Sequence, residues 1–357
     1  MASITFILPG YAANAGGGYK VVYEYANYLV GRGHAVSVLQ MRPNRLHDSD
    51  SPFWKAGLRA LRYRLFRHVR PRWFALDRRV SLTNYSRQFI KAIPKSDVII
   101  ATAMETAHFV ALASNEKGIP GFYFIQGYED WLQETAAVDV TWRLPLQRLV
   151  ISSWLKEKAA ELGVEAVKIA NAIDQEAFPA GAPISDRPMQ VLALVSDDAL
   201  KRTDVIAKAF SYIAAEVPGA SLKTFGVIKR PSILPTDVAH VQNPTPAQLR
   251  MLYQESRVYV CASDAEGFGL PPAEAMSSGA AVASTDVSGV RGYADGIALF
   301  SPIGNAEKLA ENVVRLLRDE ALCGAIAVAG IHRLSSYTPA HAGAAFEQEI
   351  LKAIGRV

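Results

Sequence analysis

Cysteine is scarce in this chain, whose 357 residues include only Cys261 and Cys323. Two cysteines that lie so far apart in the sequence exclude a disulfide framework and a cysteine-based metal cluster, and they favour a reducing compartment. Long apolar runs are lacking too, because no stretch approaches the ~18 to 20 apolar residues that cross a bilayer. The first residues, MASITFILPG, lack the basic start of a signal peptide and have the pattern of a strand. We therefore expect a cytoplasmic protein without a membrane-spanning segment.

The length indicates how many domains to expect, and the charge distribution shows where the basic residues lie. A chain of 357 residues exceeds what one hydrophobic core usually organises, so two domains are expected. Half of the residues are apolar and 20% are charged, which is typical of globular proteins. The net charge of +4 is uneven: residues 51–80 carry nine Lys or Arg against one acid, a net +8 that leaves the remainder at −4. The basic character therefore belongs to one segment.

Within this basic segment, residues 54–79 interleave arginines with large apolar side chains. At about 100° per residue, one helical face collects four apolar residues: Leu58, Leu61, Leu65 and Val69. The pattern favours a helix on an anionic membrane surface, where each Arg adds about 1 kcal/mol, and it predicts a peripheral location on the inner face of the plasma membrane. A plain surface hairpin and a nucleic-acid-binding patch are the alternatives. The acidic remainder and the lack of a nucleic-acid-binding module argue against nucleic acid.

Strand-like and helical patterns alternate along the whole chain, which predicts an α/β protein with parallel sheets. A polar, proline-rich passage at residues 171–188 interrupts the alternation and is the best candidate for a linker. Strands are expected at residues 3–8, 35–41, 97–102, 121–126, 149–152, 166–170, 190–195, 221–225, 258–262 and 281–284. The pattern thus predicts two doubly wound domains.

The most informative stretch lies at residues 258–290. A short apolar run, Val258–Ala262, has the pattern of a buried parallel strand, and Pro271 and Pro272 suit the first turn of a following helix. Glu266 then falls in the loop after the strand, and Glu274 lies one to two turns into the helix. Carboxylates accept hydrogen bonds from sugar hydroxyls, while loop and helix-start amides hold anions. The spacing therefore suggests a nucleotide-sugar site, with solvated glutamates in an ordinary loop as the alternative.

The pattern E-G-F-G-L-x3-E followed by A-M-x2-G resembles the signature of retaining glycosyltransferases of the GT-B fold, in the large family 4 group. The resemblance implies two Rossmann-like, doubly wound parallel-sheet domains that face a cleft. It implies an acceptor-binding domain at residues 1–180, a nucleotide-sugar-binding domain at residues 181–338, and a helix at residues 339–357 that crosses back to the first domain. The donor-binding backbone would be that of Gly267, Phe268, Gly269 and Leu270. Glu266 would contact the transferred sugar, and Glu274 the ribose.

Further donor contacts follow from the same resemblance. Gly16, Gly17 and Gly18 stand between the first strand and its helix, where family members carry a glycine-rich loop that faces the donor. Lys201 and Arg202 follow a strand of the second half and are placed to neutralise a diphosphate leaving group. Lys201 matches a lysine of the family, whereas a serine stands at 196 where an arginine is usual. Solvated helix-start cations are the alternative.

Catalytic and acceptor-binding candidates fall in the first half. The resemblance implies a histidine near the reacting carbon, and His108 stands in the matching region, with Glu105 as a weaker candidate. A lone histidine is otherwise more often structural. Many members have a histidine where Gln126 ends a strand here. The glutamine with nearby Glu129 resembles the rhamnosyltransferase-like branch, and Glu129 would position acceptor hydroxyls unless it is simply solvated.

No Asp-x-Asp pair is expected at a strand end, since Asp48 and Asp50 fall in a polar loop. We expect no metal and no other cofactor. The resemblance implies a glycosyltransferase that moves a hexose or deoxyhexose from a nucleotide diphosphate sugar to a hydroxyl of a glycan or lipid-linked acceptor in cell-surface polysaccharide synthesis. A sugar-nucleotide epimerase or a phosphorylase of the same fold is one alternative. A non-catalytic, membrane-associated protein that binds glycan or nucleotide is the other.

Overall fold

A computed structural model of the protein describes residues 1–12, 16–42, 68–130 and 133–356. The chain divides into two compact units: unit 1 is Met1–Ala170 with Pro339–Val357, and unit 2 is Asn171–Thr338. None of the described helices is both long and apolar enough to cross a membrane.

In the described part of unit 1, seven parallel strands form one sheet in the order β3-β2-β1-β4-β5-β6-β7. The strands are β1 Ser3–Leu8, β2 Ala35–Met41, β3 Ser81–Tyr85, β4 Val98–Ala101, β5 Gly121–Ile125, β6 Gln147–Val150 and β7 Val167–Lys168. The helices are α1 Gly17–Gly31, α2 Met104–Lys117, α3 Thr135–Trp142 and α4 Ser153–Glu161. β4 and β5 are buried along their whole length, as expected for central strands that are covered on both faces.

Unit 2 repeats the plan with six parallel strands in the order β10-β9-β8-β11-β12-β13 among its described residues. The strands are β8 Gln190–Leu194, β9 Ser221–Gly226, β10 Ala239–Gln242, β11 Val258–Cys261, β12 Ala281–Thr285 and β13 Leu299–Ser301. The helices are α5 Thr203–Glu216, α6 Pro246–Glu255, α7 Leu270–Ser277, α8 Ser288–Ala294, α9 Ala306–Arg318 and α10 Glu320–Leu334. The strand order reverses between β8 and β11, and such a switch point opens a crevice at the carboxyl ends of the strands.

The last helix, α11 Pro339–Ala353, packs on unit 1 although the sequence separates them widely. The Phe346 ring stacks on the Tyr25 ring of α1, with centroids 4.2 Å apart. The Glu347 carboxylate accepts hydrogen bonds from Arg32 Nε at 3.0 Å and from His34 Nε2 at 2.9 Å. Ring burial therefore joins α11 to unit 1, and the ion pair fixes its orientation.

The sequence patterns do not predict helix α10, and the way this helix packs explains why. Alanine, glycine and other small residues fill several of its sides, so no clear polar face marks it as amphipathic. A Cβ at Gly330 would lie 2.4 Å from Met276 Cγ of α7, so the two helices approach closely. The short elements β3, β10, β13, α3 and α8 also lack a pattern that predicts them.

The basic segment differs from its prediction in the part that the structure describes. Residues 54–67 lie outside the described residues, and residues 68–80 contain no helix, so the helix predicted through Val69 is wrong at that end. Pro71 accounts for this, because proline disfavours helical conformation in the residue before it. Arg70 donates hydrogen bonds to three backbone carbonyls, at Val80, Leu76 and Asp77.

Trp73 and Phe74, the two aromatic residues of this segment that the structure describes, pack against helix α1. The Trp73 and Phe74 rings lie against Tyr23 of α1, with centroids 5.7 and 5.4 Å away. Trp73 Nε1 also donates to the Ala12 carbonyl at 3.3 Å. These two side chains therefore stabilise the fold of unit 1.

Candidate active site

The loops that follow β8 and β11 lie side by side at the switch point of unit 2. Residues 199–201 form a 3-10 turn after β8, and the Leu200 carbonyl accepts a hydrogen bond from the Asp264 N–H at 2.8 Å. Thr203 Oγ1 donates to the Ser196 carbonyl at 3.0 Å, and this bond joins the two ends of the first loop. The sheet thus brings two loops together that are about sixty residues apart in the sequence.

Lys201 and Glu266 form an ion pair between these loops. Lys201 Nζ lies 2.7 Å from Glu266 Oε1, and the side chains are 23% and 10% exposed. Ser263 Oγ donates to the same carboxylate oxygen at 2.7 Å. Burial opposes the charge on Lys201, but the adjacent Glu266 carboxylate outweighs it, so the pKa of Lys201 lies above its ordinary value. Lys201 therefore keeps its charge, and Ser263 holds the Glu266 carboxylate from a second side.

Arg202 is held by two aspartates. Its guanidinium donates to Asp264 at 2.9 and 3.1 Å and to Asp204, from two nitrogens, at 2.9 Å each. Its φ of 48° lies in the left-handed region, which is uncommon for a residue with a side chain. The bonds to Asp204 and then Asp264 raise the pKa of the guanidinium. Neither Lys201 nor Arg202 is a free solvated cation, and Arg202 joins the start of α5 to the loop after β11.

The glycine–aromatic loop has its ring inside the unit. Phe268 is buried and packs on the Tyr293 ring, with centroids 4.9 Å apart. Gly269 has a φ of +87°, and a Cβ there would lie 2.8 Å from Val290 Cγ2, so glycine is required. Tyr293 OH donates to the Gly269 carbonyl at 2.9 Å. The Phe268 side chain therefore anchors the loop in unit 2.

Helix α8 fixes the backbone of the predicted sugar-binding glutamate. A Cβ on Gly289, in the first turn of α8, would lie 2.3 Å from the Glu266 carbonyl oxygen. Only a glycine allows this approach. One signal in the sequence could have revealed this contact: a glycine, Gly289, stands shortly after the buried strand β12.

Glu274 lies in α7 and is 6% exposed. Its Oε2 accepts a hydrogen bond from Tyr253 OH of α6 at 3.1 Å. Burial, followed by the nearby Glu274 carboxylate, raises the pKa of Tyr253 well above its ordinary value. The phenol therefore stays protonated and donates to the carboxylate. Tyr253 gave no functional signal in the sequence, because an aromatic residue on an amphipathic helix is expected in a core.

A small cavity joins the predicted residues of unit 2. Its lining includes Lys201, Ser263, Glu266 and the two prolines of the first turn of α7, Pro271 and Pro272. It has room for about one water molecule. The structure thus brings Lys201, Glu266 and the amino terminus of α7 around one space at the switch point.

In unit 1 the glycine-rich stretch meets the carboxyl end of β5. Gly17 and Gly18 begin α1, and the Gly18 carbonyl accepts a hydrogen bond from Gln126 Nε2 at 3.1 Å. A Cβ on Gly18 would lie 3.4 Å from that nitrogen. Gln126, where the resemblance implies a histidine, therefore contacts the start of α1.

Glu129 lies against the start of α2. Its Oε2 accepts a hydrogen bond from the Met104 N–H at 2.6 Å. Burial raises the pKa of Glu129 to about 7, and the charge of Glu105 adds to the effect. Glu129 is thus a half-buried group that completes the hydrogen bonding of a helix start.

His108 lies exposed one turn further along α2. The structure therefore places Glu129 and His108 on or beside one helix. Asp48 and Asp50 lie outside the described residues. In the described ranges, no group of three or more His, Cys, Asp or Glu side chains could hold a metal ion.

Comparisons with known proteins agree with this architecture. Residues 190–319, within unit 2, match the family model described as glycosyl transferases group 1. No curated protein sequence matches the chain significantly.

Among solved structures, sucrose-phosphate synthase from Thermosynechococcus elongatus is 16% identical, with a TM-score of 0.77 and 100% of both chains covered. HepE from Anabaena, in complex with UDP-glucose, is 13% identical, with a TM-score of 0.74 and 100% of both chains covered. A mutant of TarM from S. aureus, in complex with fondaparinux, α-GlcNAc-glycerol and UDP, is 11% identical, with a TM-score of 0.73. That match covers 99% of this chain and 100% of the TarM chain.

At these identities the similarity establishes the fold, which confirms the predicted pair of Rossmann-like parallel-sheet domains. The family match lies within unit 2 and includes both residues of the Lys201–Glu266 pair. The chain has the GT-B fold, and the matched unit supports a glycosyltransferase.

Proposed function

We propose that this protein is a retaining glycosyltransferase of family 4 that transfers a hexose or deoxyhexose from a nucleotide diphosphate sugar to a hydroxyl of a glycan or lipid-linked acceptor. The observation that carries the proposal is the Lys201–Glu266 ion pair, 2.7 Å long, at the switch point of unit 2. Switch-point crevices are the usual nucleotide sites of doubly wound sheets. The complexes of HepE with UDP-glucose and of TarM with UDP support a nucleoside diphosphate as the leaving group.

In this proposal different residues of unit 2 bind different parts of the donor. Lys201 and the amino terminus of α7 stabilise the charge that develops on the departing diphosphate. Glu266 orients the transferred sugar, and Glu274 accepts hydrogen bonds from the ribose. Arg202 supports Lys201 by holding its loop against the loop of Asp264. No divalent ion is needed in this scheme.

The acceptor side is assigned to unit 1. His108 contacts the reacting groups, while Glu129 holds the start of the helix that carries His108. The α-GlcNAc-glycerol in the TarM complex supports a saccharide or polyol acceptor. The basic composition of residues 54–79 supports an acceptor at an anionic membrane surface, as in cell-surface polysaccharide synthesis.

A donor panel tests the proposal. The purified chain is incubated with labelled UDP-glucose, dTDP-rhamnose and GDP-mannose, with and without a lipid-linked saccharide acceptor. We expect acceptor-dependent release of the nucleoside diphosphate, a product with the anomeric configuration of the donor by NMR, and no effect of EDTA. Rearranged donor without acceptor would indicate an epimerase, and binding without turnover would indicate a non-catalytic protein. Either result contradicts the proposal.

A further inference from the structure

Ser263 occupies a fixed position two residues after β11. It is 3% exposed, and its carbonyl accepts a hydrogen bond from Thr285 Oγ1 at 2.6 Å, at the end of β12. Its hydroxyl donates to Glu266 Oε1 at 2.7 Å. The neighbouring strand therefore holds the Ser263 backbone while the side chain is directed at the carboxylate.

Two donors converge on one oxygen of Glu266. Lys201 Nζ, from the loop after β8, also donates to Oε1, at 2.7 Å. No donor among the described residues bonds the other oxygen, Oε2. Hydrogen bonds to a carboxylate are short and strong, and two of them from different loops fix the plane of the group. Oε2 is thus the oxygen that remains for a ligand.

We propose that Ser263 is a positioning residue, which fixes Oε1 of Glu266 so that Oε2 accepts a hydrogen bond from a hydroxyl of the donor sugar. This inference rests on the proposed function, because it assigns a role within the same donor site. The bond to Thr285 uses the Ser263 backbone carbonyl, whereas the hydroxyl donates to Glu266 and accepts a long contact from Cys261 Sγ at 3.7 Å.

Ser263 and Lys201 have different roles once a donor binds. The diphosphate is a second anion that competes with Glu266 for the Lys201 ammonium. The Ser263 hydroxyl is neutral and keeps its bond to Glu266. Loss of that hydroxyl therefore impairs orientation of the sugar, while affinity for the nucleoside diphosphate is retained.

The experiment compares Ser263→Ala, Ser263→Thr and a buried-serine control, Ser284→Ala. Ser284 lies in β12 and is fully buried, and its hydroxyl donates to the Thr285 carbonyl at 2.7 Å rather than to Glu266. For each variant the Kd of UDP is measured by calorimetry and kcat with UDP-glucose by product release, or with the matching pair from the donor panel. Melting temperatures show whether each variant is folded.

For Ser263→Ala we expect an unchanged Kd for the nucleoside diphosphate and a kcat that is about tenfold lower, since one charge-assisted hydrogen bond is lost. The preference for the donor over its deoxy analogue should fall with kcat. Ser263→Thr, which keeps the hydroxyl, should restore kcat, and Ser284→Ala should leave kcat unchanged.

Equal loss of affinity and turnover in Ser263→Ala, or full activity, would overturn the positioning role while the proposed function stands. A folded Ser263→Thr that fails to recover would do the same. A wild-type chain that binds no nucleoside diphosphate and uses no donor would instead remove the proposed function, and this inference with it.

Discussion

Glu266 of unit 2 and Glu129 of unit 1 lie in opposite electrostatic surroundings. In unit 2, Glu266 meets a lysine and a serine, and Arg202 meets two aspartates, so each charge has an opposite charge beside it. In unit 1, Glu129 meets a backbone N–H, and its pKa rises to about 7. Both glutamates follow a parallel strand, but their surroundings differ. Burial and the charge of Glu105 raise the pKa of Glu129, whereas Glu266 lies beside the Lys201 ammonium.

The largest effect is expected from removal of the cation of unit 2. Lys201→Ala should lower transferase activity about a hundredfold or more, because one preorganised charge at the leaving group is lost. Glu274→Ala should also abolish transfer, through loss of the ribose contact. Steady-state kinetics with the active donor checks both.

Lys223→Ala is the matched control for the lysine variant. Lys223 also pairs with a glutamate in unit 2, Glu255, at 3.6 Å, and its side chain is 29% exposed against 23% for Lys201. Its loss should leave activity unchanged. Equal activity in the Lys201 and Lys223 variants would show that the switch-point ion pair has no special role.

A second test moves the Glu266 backbone without changing any charge. Gly289→Ala places a methyl group 2.3 Å from the Glu266 carbonyl oxygen, so the loop must shift. We expect a destabilisation of about 1 to 3 kcal/mol and a loss of activity of about a hundredfold from a displacement near 1 Å. Denaturant unfolding and kinetics measure the two effects.

Gly292→Ala provides the comparison within the same helix, because its Cβ would meet no atom within 4 Å. It should be stable and active. Similar behaviour of the two alanine variants would mean that α8 does not position Glu266.

The pH dependence of stability, through Glu129 of unit 1, tests this difference between the units. A folded pKa of about 7 for Glu129 lies above its ordinary 4.5, so the folded state binds this proton more tightly than the unfolded state. Protonated Glu129 therefore stabilises the folded state fully below pH ~4.5, and this contribution to the free energy of unfolding is lost as pH rises through about 7. Glu129→Gln keeps an acceptor for the Met104 N–H without a charge. It should therefore gain about 1 to 2 kcal/mol over the wild type at pH 8, once solvent screening is allowed for.

Unfolding free energies of both proteins, measured from pH 4 to pH 8, check the sign. The difference should be small at pH 4 and grow with pH. A pH-independent difference would show that Glu129 ionises in its ordinary range.

The smallest effect is expected at the start of α1. Gly18→Ala would bring a Cβ to 3.4 Å from Gln126 Nε2, a contact that a shift of a few tenths of an ångström relieves. We expect a loss of activity of a few-fold or less, partly masked by better helix propensity. Gly31→Ala, at the other end of α1 with no atom within 4 Å, should be fully active in the same assay. A large loss in Gly18→Ala would show that this loop approaches a ligand closely.

Much of the fold could be predicted because its signals are local. The run Val258–Ala262 is apolar and short, the prolines suit a helix start, and the structure gives β11 Val258–Cys261 and α7 Leu270–Ser277 accordingly. Helix α10 could not be predicted in this way, since its small residues pack against α7 and show no polar face. The helix expected through Val69 does not form at that end, because Pro71 disfavours helical conformation in the residue before it.

The candidate site could likewise be predicted only in part. The spacing of Glu266 and Glu274 placed one in a loop and the other in a helix, because strand, turn and helix follow from neighbouring residues. Nothing in that spacing could show that Lys201 and Ser263 share one oxygen of Glu266, or that Arg202 is held by aspartates.

By itself, the sequence determined the alternation of strands and helices, the doubly wound parallel architecture and the strand ends that carry the charged side chains. Those properties depend on periodicity and on the residues that start and stop each element. Tertiary structure alone decided which charges meet, which glycine must remain glycine beside Glu266, and which carboxylate has a raised pKa. The reason is that each of these depends on segments that are distant in sequence and that meet only through the pairing of β11 with β8 and β12, or through the packing of α2 beside β5.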